Sequence, residues 1–233
     1  MDSLRGIISD LHVFLYGGMR TLPITIAGTM LILGLFTANY AMMFFLVGFM
    51  IATPSLSAVL NAIIDATASK WGIDWFKSKT SDVCNVVIPY STLDKPSKVE
   101  DVNILCPTSY AMICFFLGYM LTNAVELYRR GTDPKADETK VSTRKSHAIL
   151  SILSIIVFTI IVIGFRMTSK CESTIGLIIG ILIFGPLGYG WYKMLSKSNE
   201  GRLADLFGIS NRILPASAMK LDGPVACFAD PSA

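Results

Sequence analysis

Long uncharged runs alternate with polar stretches along the whole chain, and the first run is the longest. From Leu22 to Ile64 there is no Asp, Glu, Lys, Arg or His. As one helix this run would reach about 65 Å, roughly twice the ~30 Å hydrocarbon thickness of a bilayer. A membrane hairpin resolves the excess: residues 21–64 hold span 1, from about Leu22 to Thr37, and span 2, from about Ala41 to Ile64. The polar break Thr37-Ala38-Asn39-Tyr40 makes the turn. Three further uncharged runs predict span 3 over 108–128, span 4 over 146–166 and span 5 over 174–193. The expected fold class is an all-α integral membrane protein of about five transmembrane helices, the first two a hairpin. A small disulfide-capable loop and a short amphipathic C-terminal tail complete it.

The segments between the spans have distinct textures. In residues 1–20, Leu4, Ile7, Ile8, Leu11, Phe14 and Leu15 recur at helical spacing among Arg5, Ser9, Asp10 and His12. The pattern suits a helix lying in the headgroup layer or packed on the bundle. Because charges interrupt that segment, no cleavable leader is expected, and the first span serves as its own insertion signal. Residues 65–107 form a polar extramembrane loop with one β-like run, Val86 to Tyr90. Trp71 and Trp75 share a helix face and are expected to anchor the end of span 2 at the interface. Residues 129–145 read as a solvated basic linker, and 194–233 as the tail.

Within the spans, small and polar residues mark expected contacts. Pro54 predicts a kink in span 2, with Ser55, Ser57 and Asn61 available to the backbone groups it releases. Gly48-x-x-x-Ala52 and Gly176-x-x-x-Gly180 are helix-packing pairs, and the second places span 5 centrally, with Gly185, Pro186, Gly188 and Gly190 loosening its later half. Trp191 is expected to anchor span 5 at the interface, and Glu126 to pair with Arg129 and Arg130 one turn away. Span 4, rich in Ile, Val and Leu, is expected to face lipid.

Composition agrees with this class and limits the chemistry. Hydrophobic residues make up 52% of the chain and charged residues 16%, against about 25% charged in soluble domains. The net charge of +3 is small and dispersed, which argues against nucleic acid as a partner. Positive charge crowds one side of the expected membrane: Arg129, Arg130, Lys135, Lys140, Arg144 and Lys145 in the linker, then Lys193 and Lys197. The short link opposite carries only Arg166 and Lys170. Linker and tail are therefore expected in the cytosol. Cys84, Cys106 and Cys171 fall on the other side, where oxidation is permitted. A Cys84–Cys106 bridge would contribute about 3 kcal/mol in the chain-entropy view, and the alternative is that all stay reduced. With His12 and His147 as the only histidines, no nucleophile set, metal motif or cofactor loop can be assembled. Neither an enzyme, a cofactor nor a small-molecule substrate is expected.

The tail carries the most specific pattern. Arg202 to Gly208 predicts a short helix with Leu203, Leu206 and Phe207 on one side, a surface for docking to the bundle or to a partner. Together with the proline-containing hairpin and Cys106-Pro107 ahead of span 3, the tail run Ala204-Asp205-Leu206-Phe207-Gly208-Ile209, then Arg212-Ile213-Leu214-Pro215, Ser217-Ala218 and the late Cys227, resembles uncharacterised multi-pass membrane proteins of nucleocytoplasmic large DNA viruses. That resemblance covers most of the chain. It implies a component of the internal lipid membrane of the virion, derived from host endoplasmic reticulum, with capsid or other membrane proteins as partners. The expected role is thus structural, with a small channel or transporter, or an accessory to viral fusion, as the alternatives.

Overall fold

The computed structural model describes residues 18, 21–71, 77–78, 102–103, 106–129, 138–168, 174–197, 204 and 206. Almost all of them are helical. Helix α1, Thr21–Phe36, is apolar but short, about 24 Å at 1.5 Å per residue. It closes in a Schellman-type turn. Ala38 takes the left-handed conformation at φ 48°, Asn39 N–H donates to Gly34 O at 2.9 Å, and Ala38 N–H donates to Leu35 O at 3.3 Å. The Asn39 side chain then caps the next helix by accepting from Ala41 N–H at 3.1 Å. The chain folds back along itself: a Cβ on Gly34 would lie 3.1 Å from Met42 Cβ, and Ala27 shares a core with Met42 and Phe45.

The return limb comprises α2 (Tyr40–Val47), a π-helical turn (Gly48–Ala52) and α3 (Thr53–Trp71). Its π turn answers Pro54. Proline has no N–H to give to the carbonyl of Met50, and its ring would press on that carbonyl in a regular helix. The wider turn relieves this: Thr53 N–H reaches back five residues to Gly48 O, and Thr53 Oγ1 donates to the same oxygen at 2.8 Å. The irregularity expected at Pro54 is thus displaced one turn earlier and takes the form of a bulge.

Two residues of the polar loop, Lys77–Ser78 (β1), pair antiparallel with Val102–Asn103 (β2). This brings the two ends of the 65–107 loop together, whereas the β-like run Val86 to Tyr90 lies outside the described residues, as do Trp75 and most of 1–20. Helix α4 spans Thr108–Arg129, α5 Glu138–Thr168 and α6 Thr174–Lys197. The linker expected over 129–145 is therefore helical from Glu138 onward, so α5 begins well before its apolar run. Four helices are long and apolar enough to cross a membrane: the combined α2–α3 run, α4, α5 and α6, with α1 a shorter fifth.

Helix α4, not the last span, occupies the middle. Just over half (56%) of its apolar window is buried, against 28% for α6 and 11% for α5. Its closest approach is to α6, at glycines outside the Gly176/Gly180 pair: a Cβ on Gly118 would fall 2.2 Å from Gly185 O, and one on Gly188 2.2 Å from Phe115 O. Missing side chains on both helices let the backbones touch. Around this contact sits an aromatic core, with Phe45 and Tyr119 ring centres 5.0 Å apart, Phe45 and Phe49 5.4 Å, and Tyr119 and Tyr192 5.3 Å.

Candidate functional site

Polar contacts between elements gather into two clasps, one at the Cys106 end of this aromatic core and one running from Tyr119 toward its other end. The first joins the first half of α3, the start of α4, the end of α5 and the start of α6. Ser57 and Asn61 are one turn apart and so share a face of α3. Ser57 Oγ donates to Cys106 O at 3.2 Å and Asn61 Nδ2 to the same carbonyl at 3.0 Å, while Cys106 N–H donates to Asn61 Oδ1 at 3.3 Å. The amide of Asn61 thereby reads the Cys106 backbone as a paired strand would, just where Pro107 precludes further regular pairing and its carbonyl starts α4 by accepting from Tyr110 and Ala111.

One turn on, Arg166 enters the same region from α5. Its Nη2 donates to Ser109 Oγ at 2.7 Å and its guanidinium lies 5.5 Å from the centre of the Tyr110 ring, whose hydroxyl donates to Leu177 O at 3.1 Å. Arg166 closes the expected span 4 and counts by charge with the link that follows, yet it is buried in the last turn of α5. Nothing local in the sequence marks it as buried, since its partners Ser109 and Tyr110 come from another helix. Gly180 leaves room here: a Cβ would meet Tyr110 at 2.8 Å and Cys106 Sγ at 3.0 Å. Cys106 is buried in the clasp, whereas Cys84 and Cys171 lie outside the described residues, so the expected bridge is not described.

The second clasp joins the hairpin, the ends of α4 and α6, and the tail. Lys193 Nζ pairs with Glu126 Oε1 and lies 5.9 Å from the Tyr189 ring centre. Glu126 thus meets a lysine from another helix, and of the two local arginines expected from spacing Arg130 lies outside the described residues. Both side chains are more than a third exposed, so screening holds the pair to well under about 1 kcal/mol. Trp191 Nε1 donates to Phe44 O at 3.1 Å, and its ring fills the space left by Gly48, whose Cβ would come within 2.7 Å of it. Trp191 therefore fastens α6 to the hairpin. Ala52, the partner of Gly48 in the expected packing pair, is only partly buried. Tyr119 Oη donates to Ala204 O at 3.0 Å, and Leu206 is buried in the same cluster. Ala204 is in a turn and Leu206 in a bend, not in the short helix expected, and Leu203 and Phe207 lie outside the described residues.

Beside the second clasp, a cleft of about 470 Å³ opens at the hairpin tip between Gly34, Leu35, Asn39, Tyr40, Met43 and Phe44. Its walls are apolar. Among the described residues no three His, Cys, Asp or Glu side chains are placed to hold a metal. Chemically, then, both clasps are sets of hydrogen bonds and ion contacts that tie one helix to another. Comparison with family models, with curated proteins and with solved structures returns no match.

Proposed function

We propose that this chain is a non-enzymatic, multi-pass membrane protein with a structural role, its helices forming a rigid element of a lipid bilayer. The observation that supports this best is how the intramembrane polar side chains are engaged. Tyr110, Tyr119 and Arg166 each bond to another helix or to the tail, and Ser57 and Asn61 to the Cys106 backbone just ahead of α4, as fastening groups do and as pore-lining groups do not. The resemblance of the hairpin and tail to membrane proteins of large DNA viruses points to the internal membrane of a virion, with linker and tail turned toward capsid or scaffold. On that reading these parts face the cytosol during assembly.

Two measurements test the proposal. After removal of the capsid shell from purified virions, the chain should remain in the membrane fraction and resist carbonate extraction. Its absence from that fraction would refute the viral role. Purified protein in liposomes should pass neither ions nor small solutes above the leak of empty vesicles, and sustained flux would replace the structural reading with the channel one.

A further inference from the structure

We infer that the chain beyond α6 re-enters the membrane layer, with the segment around Ala204 and Leu206 seated in the groove between α2, α4 and α6. Depth carries the argument. Tyr119 stands at the middle of the 22-residue α4, about 15 Å from either end at 1.5 Å per residue. Its hydroxyl donates to the Ala204 carbonyl at 3.0 Å, which puts Ala204 one tyrosine side chain from the helix midpoint. Helix α6 runs on to Lys197, and Lys193 is already level with Glu126 in the last turns of α4. Ala204 therefore lies inward of the end of α6.

Burial agrees with depth. Ala204 is 0% exposed and Leu206 2%, in one cluster with Met42, Phe45, Tyr119, Tyr192 and Leu195. The backbone chemistry agrees as well. A turn and a bend leave main-chain carbonyls without helical partners, and at membrane depth such groups are tolerated only inside protein and opposite donors. Tyr119 supplies one donor. Two more are buried on the adjoining faces, the amide nitrogens of Asn39, one turn before Met42, and Asn123, one turn after Tyr119. Neither meets an acceptor among the described residues. A groove with apolar walls and buried donors suits a small and an aliphatic side chain carried on non-helical backbone, which is what Ala204 and Leu206 provide. The consequence holds whatever scaffold the protein meets: the first part of the tail is an internal element, and outward contact falls to the linker and to residues beyond the insertion.

The test uses the full chain in nanodiscs, with Cys84, Cys171 and Cys227 replaced by serine and single cysteines introduced as Ser198→Cys, Ala204→Cys or Leu206→Cys. Native Cys106 and Cys114 are buried and set the background. A membrane-impermeant maleimide should label positions 204 and 206 at least about tenfold more slowly than 198. Adding Tyr119→Phe to Ala204→Cys should speed labelling severalfold, and SDS should make all positions react fully. Equal rates at 198 and 204 in a chain that still resists carbonate would overturn the inference. Hydrogen exchange on the unsubstituted protein provides a second measurement that no substitution can disturb. The amides of Ala204 and Leu206 should exchange as slowly as the middle of α4, and exchange at the rate of an exposed peptide would sink the idea.

Discussion

Helices α4 and α5 run side by side and invert the rule familiar from soluble proteins. Helix α5 is the more apolar and the less buried, exposing Leu150, Leu153, Val157 and Ile160 along its length. Helix α4 carries Thr108, Ser109, Tyr110, Thr122, Asn123 and Glu126, and is the most enclosed of the four long apolar helices among the described residues. In lipid, surrounding hydrocarbon is as apolar as leucine, so burying an aliphatic side chain against another helix gains little. Small residues that permit close contact, and polar residues that bond across it, decide which helix goes inside. The lesson is that in such a chain a mixed helix marks the interior and a uniform one the perimeter.

The sharpest way to break this contrast is to add one methyl group to each helix. Gly118→Ala or Gly188→Ala would drive a Cβ into backbone at 2.2 Å and should lower stability by about 3 kcal/mol, read by SDS unfolding titration in bicelles. Gly164→Ala on α5 meets nothing within 4 Å and should raise helix stability by about 0.5–1 kcal/mol. Equal losses at the two sites would mean that α4 and α6 do not touch as described.

Truncation of a ring gives the next largest effect. Phe45→Ala removes the residue that meets Phe49, Phe115, Phe116 and Tyr119 and should cost about 3 kcal/mol. Leu153→Ala, on the exposed face of α5, should change the same titration by less than about 0.5 kcal/mol.

Polar fastening is weaker and separable. Asn61→Leu leaves the Cys106 carbonyl and N–H with fewer partners and should cost about 1 kcal/mol, within the range measured for interhelical hydrogen bonds in membranes. A substitution at the hairpin turn should act in the opposite direction. Ala38 holds a positive φ that disfavours a side chain by about 1 kcal/mol, so Ala38→Gly should stabilise by a similar amount. Smallest of all, Lys193→Met should cost about 0.5 kcal/mol or less, and the difference should shrink further as salt is raised.

What could be read from the sequence and what could not divides along physical lines visible in single residues. The turn at Thr37 to Asn39 was legible because a charge-free run of that length has to fold back, and its only polar break falls there. Ser57 and Asn61 were legible as a polar face, but their partner, the backbone of Cys106, was not, since nothing local to either residue specifies it. Glu126 illustrates the same limit: nearby arginines made a local ion pair plausible, while the observed Lys193 comes from another helix. Trp191 looked like an interfacial anchor by type, and only the space opened by Gly48 shows what its ring does.

By itself the sequence determined that the chain carries apolar helices long enough to cross a membrane, their order and the place where the first of them doubles back. Those properties follow from length and hydropathy, which add up residue by residue. Only the tertiary structure decided which helix is enclosed, which glycines carry the closest contact, and where Arg166, Trp191, Ala204 and Leu206 end up. Each of these depends on residues distant in sequence meeting in space, and in a bilayer hydrophobicity no longer tells inside from outside.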